Sequence, residues 1–163
     1  MRIKKIFLFL AIFSSLEYPK ISLAGGDSFY NAAASFVYSF PKLIINRTGP
    51  LCVYGYDQVV VAIEEKYINN IIMFKSVGDL QNFAQKNCKV LYVSKGDRGS
   101  KLAIATADKN NVASIGVYSD FMSDGGTVFL QAGRRNFELT IDQNKVKAYD
   151  IKFSPVVLGL VVR

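Results

Sequence analysis

Leu51-Cys52-Val53-Tyr54-Gly55 is a short apolar run that follows the breaker Thr48-Gly49-Pro50 and closes on a glycine, and Cys88-Lys89-Val90-Leu91-Tyr92-Val93 repeats its character further on. Runs of this length and composition, bounded by turn formers, read as strands. Between them, Asp57 is placed to cap a helix carrying Val59, Val60, Ile63, Tyr67 and Ile68. Val59-Val60-Val61 would suit a strand equally well, but the length of the segment and the Glu64-Glu65-Lys66 interruption favour a helix. Ile71 to Phe74 is another strand, and Ser76 with Asp79 three residues on resembles a capping box opening a helix with Leu80, Phe83 and Ala84 on one face, ending near Asn87. Beyond the second cysteine come a helix over Lys101 to Lys109 and a strand over Ser114 to Tyr118. Strands alternating with helices imply βαβ units, right-handed crossovers and a parallel sheet in which the strands at Cys52 and Val90 can be neighbours.

Past Asp124 the pattern changes. Gly125-Gly126 precedes Thr127 to Gln131, and after the short Ala132-Gly133-Arg134 the stretch Arg135 to Ile141 alternates around Phe137, Leu139 and Ile141. This predicts a β-hairpin forming an antiparallel edge. Asp142 is set to cap a short helix through Ala148, and Pro155 to Val162 closes the chain as a helix or buried segment. On the amino side, Asp27 and Ser28 can cap a helix bearing Tyr30, Ala33, Ala34, Val37 and Tyr38, which Pro41 stops, and Leu43-Ile44-Ile45 follows as a short strand or extended connection. The fold class expected is α/β: one Rossmann-like domain over 25–163, mostly parallel, flanked by helices, with a C-terminal antiparallel β-hairpin.

Residues 1–24 read as something else. Met1-Arg2-Ile3-Lys4-Lys5 puts positive charge ahead of the apolar block Ile6 to Phe13, and Ser22 and Ala24 flank Leu23, the three-part pattern of a secretory signal peptide cleaved after Ala24. The apolar block is well short of the roughly 20 residues that span a bilayer. Cleavage removes four of the basic residues and one acid, so the formal charge of +7 falls to +4. No remaining run of Lys and Arg is dense enough for a phosphate-backbone track, and nucleic acid is not an expected partner. Export favours a disulfide between Cys52 and Cys88, the only cysteines, the alternative being two small buried hydrophobes.

The sequence contains no histidine, which removes the commonest general base and transition-metal ligand and rules out Ser-His-Asp and Cys-His nucleophile systems. Two cysteines this far apart are not a zinc motif. No cofactor, metal or catalytic residue is expected. Asp120 and Asp124 could form a carboxylate pair but read more readily as caps on a turn. Lys95 to Lys101 lacks the spacing of a phosphate-binding loop, and Gly125-Gly126 reads as a turn. Asn46-Arg47-Thr48 matches a glycosylation sequon, relevant only in a host that uses it. Phe36, Tyr38 and Phe40 belong either to the core or to an exposed partner surface, and Arg134 and Arg135 either aid solubility or meet an acidic partner.

Taken in order, these features resemble the YfiR-like family of periplasmic proteins from about Tyr30 to Val162. Phe40-Pro41 stands where that family usually has Trp-Pro. Leu51 to Gly55 resembles its C-V-x-G strand and Cys88 to Val93 its second cysteine-bearing strand. Gly125-Gly126 with Val128 to Leu130, then Asn136-Phe137-Glu138-Leu139, resemble its G-G-x-x-x-F and R-F-E-I hairpin. The closing segment departs from it, reading Ser154-Pro155-Val156-Val157-Leu158 where the family tends to Ser-Ser-x-Leu-Leu. The resemblance implies a non-enzymatic periplasmic regulator that binds the sensor region of an inner-membrane diguanylate cyclase and holds it inactive, modulating cyclic di-GMP signalling and biofilm formation. Some members carry a second cysteine pair, and this sequence, with no cysteine to spare, excludes that two-disulfide arrangement. Partner contact is then expected at Phe40, Pro41, Arg134, Arg135 and Phe137, and a homodimer is a second expected assembly. From a different class, the open α/β sheet itself predicts a small-ligand-binding domain using the carboxyl strand ends near Gly55 and Ser94.

Overall fold

A computed structural model describes residues 26–67, 71–95, 98–133 and 136–161. The signal-peptide reading of residues 1–24 and the reading of Arg134 and Arg135 fall outside them.

Six strands form one sheet: β1 (Leu51–Tyr54), β2 (Ile71–Phe74), β3 (Val90–Val93), β4 (Ala113–Gly116), β5 (Val128–Ala132) and β6 (Phe137–Ile141), in the order β2-β1-β3-β4-β5-β6. Every pairing is parallel except β5 with β6, which is the expected antiparallel hairpin. β1 and β3 are in register from Leu51 opposite Val90 to Tyr54 opposite Val93, so the two cysteine-bearing segments are neighbours.

Period-two alternation divides each central strand between two cores. Leu51, Val53, Val90 and Tyr92 face one layer, made by α1 (Gly26–Ser39) and α2 (Gln58–Tyr67). Cys52, Tyr54, Leu91 and Val93 face the other, made by the 3-10 helix Val77–Lys86 and α3 (Ser100–Lys109). The residues of β1 and β3 are almost wholly buried, which is why these strands carry no polar face.

Local chemistry sets the helix starts. Asp57 Oδ1 accepts from Val60 N at 2.9 Å, which caps α2 and settles Val59-Val60-Val61 as helical. Asp142 accepts from Asn144 N and Lys145 N at the start of α4 (Gln143–Ala148). Ser76 and Asp79 complete the expected capping box, and hydrogen bonds from Ser76 hold the Asp79 carboxyl below its ordinary pKa. α1 ends at Ser39, ahead of Pro41 as expected, and the chain tightens into a 3-10 turn over Phe40–Leu43. Two expectations need correction. The segment after Ser76 is a 3-10 helix. With three residues per turn, Leu80 and Phe83 stack on one buried stripe while Ala84 turns out to solvent. The closing segment is one turn, α5 (Pro155–Leu158), followed by a parallel bridge from Val161 to Leu139.

Asp57 has a second role, because its Oδ2 accepts from the hydroxyl of fully buried Tyr92 at 2.8 Å. Burial first, and the Asp57 charge second, push the Tyr92 pKa well up, so the hydroxyl stays a donor. Asp57→Ala is expected to lose about 1 kcal/mol of cap and a further 1–3 kcal/mol for the orphaned phenol. Tyr92→Phe should be nearly neutral in that background, a pattern that urea unfolding of the two single variants and the double variant will test.

Candidate functional site

The cysteines are joined: Cys52 in β1 and Cys88 just ahead of β3 form a disulfide with their Cα atoms 5.6 Å apart. Its position depends on a close backbone crossing. Gly49 (φ +133°) packs so tightly on the end of the 3-10 helix that a Cβ there would lie 2.3 Å from the Asn87 carbonyl. Asn87 ends that helix in the left-handed conformation, and Lys89 N then donates to Pro50 O at 3.0 Å. The breaker residues ahead of β1 thereby bring Cys88 alongside Cys52. Both cysteines are buried, as a clamp between strands.

Phe40, Pro41 and Phe137 were expected at a partner surface, and the structure places all three in the interior. Phe36 meets Phe40 at 5.7 Å and Phe137 at 5.6 Å in tilted contacts, Phe29 meets Phe137 at 5.9 Å, and Phe40 meets Phe153 at 5.8 Å. This aromatic row joins α1 to the hairpin and to the C-terminal segment. Phe40 and Phe137 are its buried members, while Phe29, Phe36 and Phe153 are partly exposed.

The segment around Asn46 pairs with the C-terminal segment. Ile45 N donates to Lys152 O at 2.8 Å, Ser154 N donates to Leu43 O at 2.8 Å, and Ile44 bridges Phe153. Asn46 closes the seam with both ends of its amide, donating to Asp150 O at 2.6 Å and accepting from Lys152 N at 2.9 Å. The sequon asparagine is thus a structural clasp. Arg47 adds guanidinium donors to the carbonyls of Asn111 and Tyr149. Held this way, the segment exposes Ile45 (64%), Val156 (60%) and Leu158 (62%) while Val157 anchors it. These exposed residues were missed in the sequence, where Pro155 to Val162 reads as uniformly apolar. Only the one-turn geometry separates Val157 from its neighbours.

Asp120 and Asp124 have separate partners. Asp124 accepts a salt bridge from Lys101 at 3.0 Å and a bond from the Tyr118 hydroxyl at 3.4 Å, while the Asp120 carbonyl accepts from Ser123 Oγ at 2.8 Å. Burial, then Asp124, pushes the Tyr118 pKa up to about 12. At the opposite end of the sheet from the Asn46 seam, Gly55 and Ser94 meet: Ser94 N donates to Tyr54 O at 3.0 Å and Gly55 N to Phe74 O at 3.1 Å. Gly55 (φ +83°) has no room for a side chain, since a Cβ there would lie 2.0 Å from Ser94 Oγ. Among the described residues no group of three or more carboxylate, cysteine or histidine side chains could hold a metal ion, and no helix is long and apolar enough to cross a membrane.

The family described as YfiR/HmsC-like matches residues 30–161. The chain belongs to that family. Membership supports, in general terms, a regulatory role in the periplasm rather than a catalytic one, and the disulfide fits such a compartment. Among curated proteins, no significant relative is found by sequence. Among solved structures, the YfiR/HmsC-like chain is similar to a conserved domain protein from Vibrio cholerae O1 biovar El Tor strain N16961, with TM-score 0.59 and 12% identity over 80% of this chain and 59% of that one. It is also similar to the ABC domain in complex with L-Trp from Streptococcus pneumonia, with TM-score 0.57 and 9% identity over 80% of this chain and 60% of that one. The chain thus spans about three-fifths of each of these structures, and at such identities the likeness concerns the fold alone.

Proposed function

We propose that this protein is a periplasmic, non-enzymatic regulator that binds and restrains the periplasmic sensor region of an inner-membrane diguanylate cyclase, and so modulates cyclic di-GMP signalling and biofilm formation. The observation that carries the reading is the family match over residues 30–161. Export by a cleaved signal peptide over residues 1–24, leaving 25–163 as the working domain, is part of the same proposal, and the absence of histidine is consistent with a binding role. The contact surface we assign is the exposed apolar set Ile45, Val156 and Leu158, because desolvating such residues is a main source of binding energy at protein interfaces.

Pull-down from envelope extracts with this chain as bait should recover a membrane-bound diguanylate cyclase, and deletion should raise cyclic di-GMP. Val156→Asp with Leu158→Asp should abolish capture while leaving the melting temperature within a few degrees, since both side chains are exposed. Recovery of no membrane cyclase, together with unchanged cyclic di-GMP on deletion, would overturn the reading. A homodimer using the same surface is the competing assembly, and it would appear in sedimentation as a dimer dispersed by the same two substitutions.

A further inference from the structure

Two cavities lie at opposite ends of the sheet, and their chemistry differs. The one at the amino ends of the strands, about 960 Å³, contains Arg47, but that guanidinium is already engaged by the carbonyls of Asn111 and Tyr149. The one at the carboxyl ends, about 800 Å³, is floored by Gly55 and Ser94. It arises from topology. From β1 the chain crosses to β2 through α2 on one face, then returns past β1 to β3 through the 3-10 helix on the other face. The chain therefore leaves the carboxyl ends of β1 and β3 in opposite directions, and a crevice opens between them, the place where open α/β sheets take ligands. Its volume is that of a small-molecule site.

Three features of this crevice point to the charge and shape of an occupant. Ser94 Oγ is buried and has no hydrogen-bond partner, although Ser94 is only 1% exposed. Such groups are rare because an unmet buried hydroxyl is costly. Among the described residues, Lys75, Lys95 and Arg98 line the walls with one carboxylate, Glu64, and none of the three cations enters a salt bridge. Lys75 also acts on Asp79, whereas Lys95 and Arg98 enter no salt bridge among the described residues. Lastly, Tyr56 is 67% exposed at the rim, an aromatic face with nothing packed on most of it.

We propose that this crevice binds a small organic anion, a carboxylate or a phosphate ester with a flat apolar body: the anionic group meets Arg98 and Lys95 above the Ser94 hydroxyl, and the body lies against Tyr56. The argument uses only the β1/β3 crevice and holds whether or not the partner reading does. It goes further than the general ligand-site expectation at Gly55 and Ser94 by assigning charge, shape and contacting residues.

The test is an amide-resolved NMR titration of the purified protein with phenyl phosphate, phenylacetate and, as a cation of similar shape, benzylamine. At least one anion should move the Gly55 and Ser94 amides saturably with a dissociation constant of about 1 mM or tighter, and benzylamine should not. The better anion identifies the headgroup as phosphate or carboxylate. Lys95→Gln with Arg98→Gln should weaken that binding about tenfold or more at unchanged melting temperature, since both side chains are exposed. The proposal is overturned if neither anion moves those amides, if benzylamine moves them equally, or if the double variant binds as tightly as the parent. Capture of a cyclase by the parent and by the double variant reads the partner proposal separately, so that failure of one is distinguishable from failure of the other.

Discussion

Cys52→Ser is expected to lower the stability of the oxidised protein by about 4 kcal/mol, the chain-entropy cost of opening a loop closed across 36 positions. For a domain of this size that is a fall of roughly 10 °C in melting temperature. Reductant should bring the parent to the same point and leave a Cys52→Ser, Cys88→Ser double variant unmoved, since that variant has no bond to lose. The loop being closed contains α2, β2 and the 3-10 helix, so the clamp restricts in the unfolded chain the segment that forms both crossovers around β1. A loss of less than about 1 kcal/mol would mean that the close crossing of Gly49 on Asn87 and the β1–β3 pairing hold this junction without help from the bond.

Phe121→Ala should cost about 3–5 kcal/mol, the range for removing a large buried aromatic whose cavity cannot collapse. The ring is fully buried between two glycines: a Cβ on Gly116 would lie 2.4 Å from it, and one on Gly126 2.1 Å. Tyr118 meets its edge at 5.3 Å, and Gly126 N donates to the Phe121 carbonyl at 2.9 Å, closing the turn. Because the ring is held from both sides, it has no direction in which to yield. Gly126→Ala should therefore be destabilising by about 1–3 kcal/mol through overpacking even though it adds only a methyl group. Chemical denaturation of the two variants will check both values. A Gly126→Ala protein as stable as the parent would show that the ring can move after all. The pair Gly125-Gly126 thus owes its composition to two causes: Gly125 takes φ +93°, while Gly126 makes room for Phe121.

The fold was readable because its central strands are buried on both faces, so their apolar runs stand out between turn residues. The caps were readable because Asp57, Asp142 and the Ser76/Asp79 pair act within three residues of themselves. Long-range relations were harder to see. The three-residue spacing of Leu80 and Phe83 belongs to a 3-10 helix and an α-helix alike, and the exposure of Ala84 decides between them. Nothing local distinguishes Phe40 or Phe137 as a core residue from one at an interface. Their burial comes from Phe36 and Phe153, which are distant from one or the other in sequence. The exposed Val156 and Leu158 were hidden in an apolar segment for the same reason, whereas Gly55 and Ser94 were placed correctly because topology alone puts them at the strand ends.

The segment that follows α5 leaves the two flanks of the sheet unlike. Val161 pairs alongside Leu139, and Leu139 N donates to Leu160 O at 2.8 Å, so part of the outer side of β6 is occupied by the protein's own tail. On the other flank, among the described residues, no strand pairs with the outer side of β2. Growth of the sheet by addition of a foreign strand therefore has a direction: it would begin at Ile71–Phe74, whose four residues limit how much backbone a newcomer can engage. The tail acts as a stop at one end of a ladder whose other end is left short.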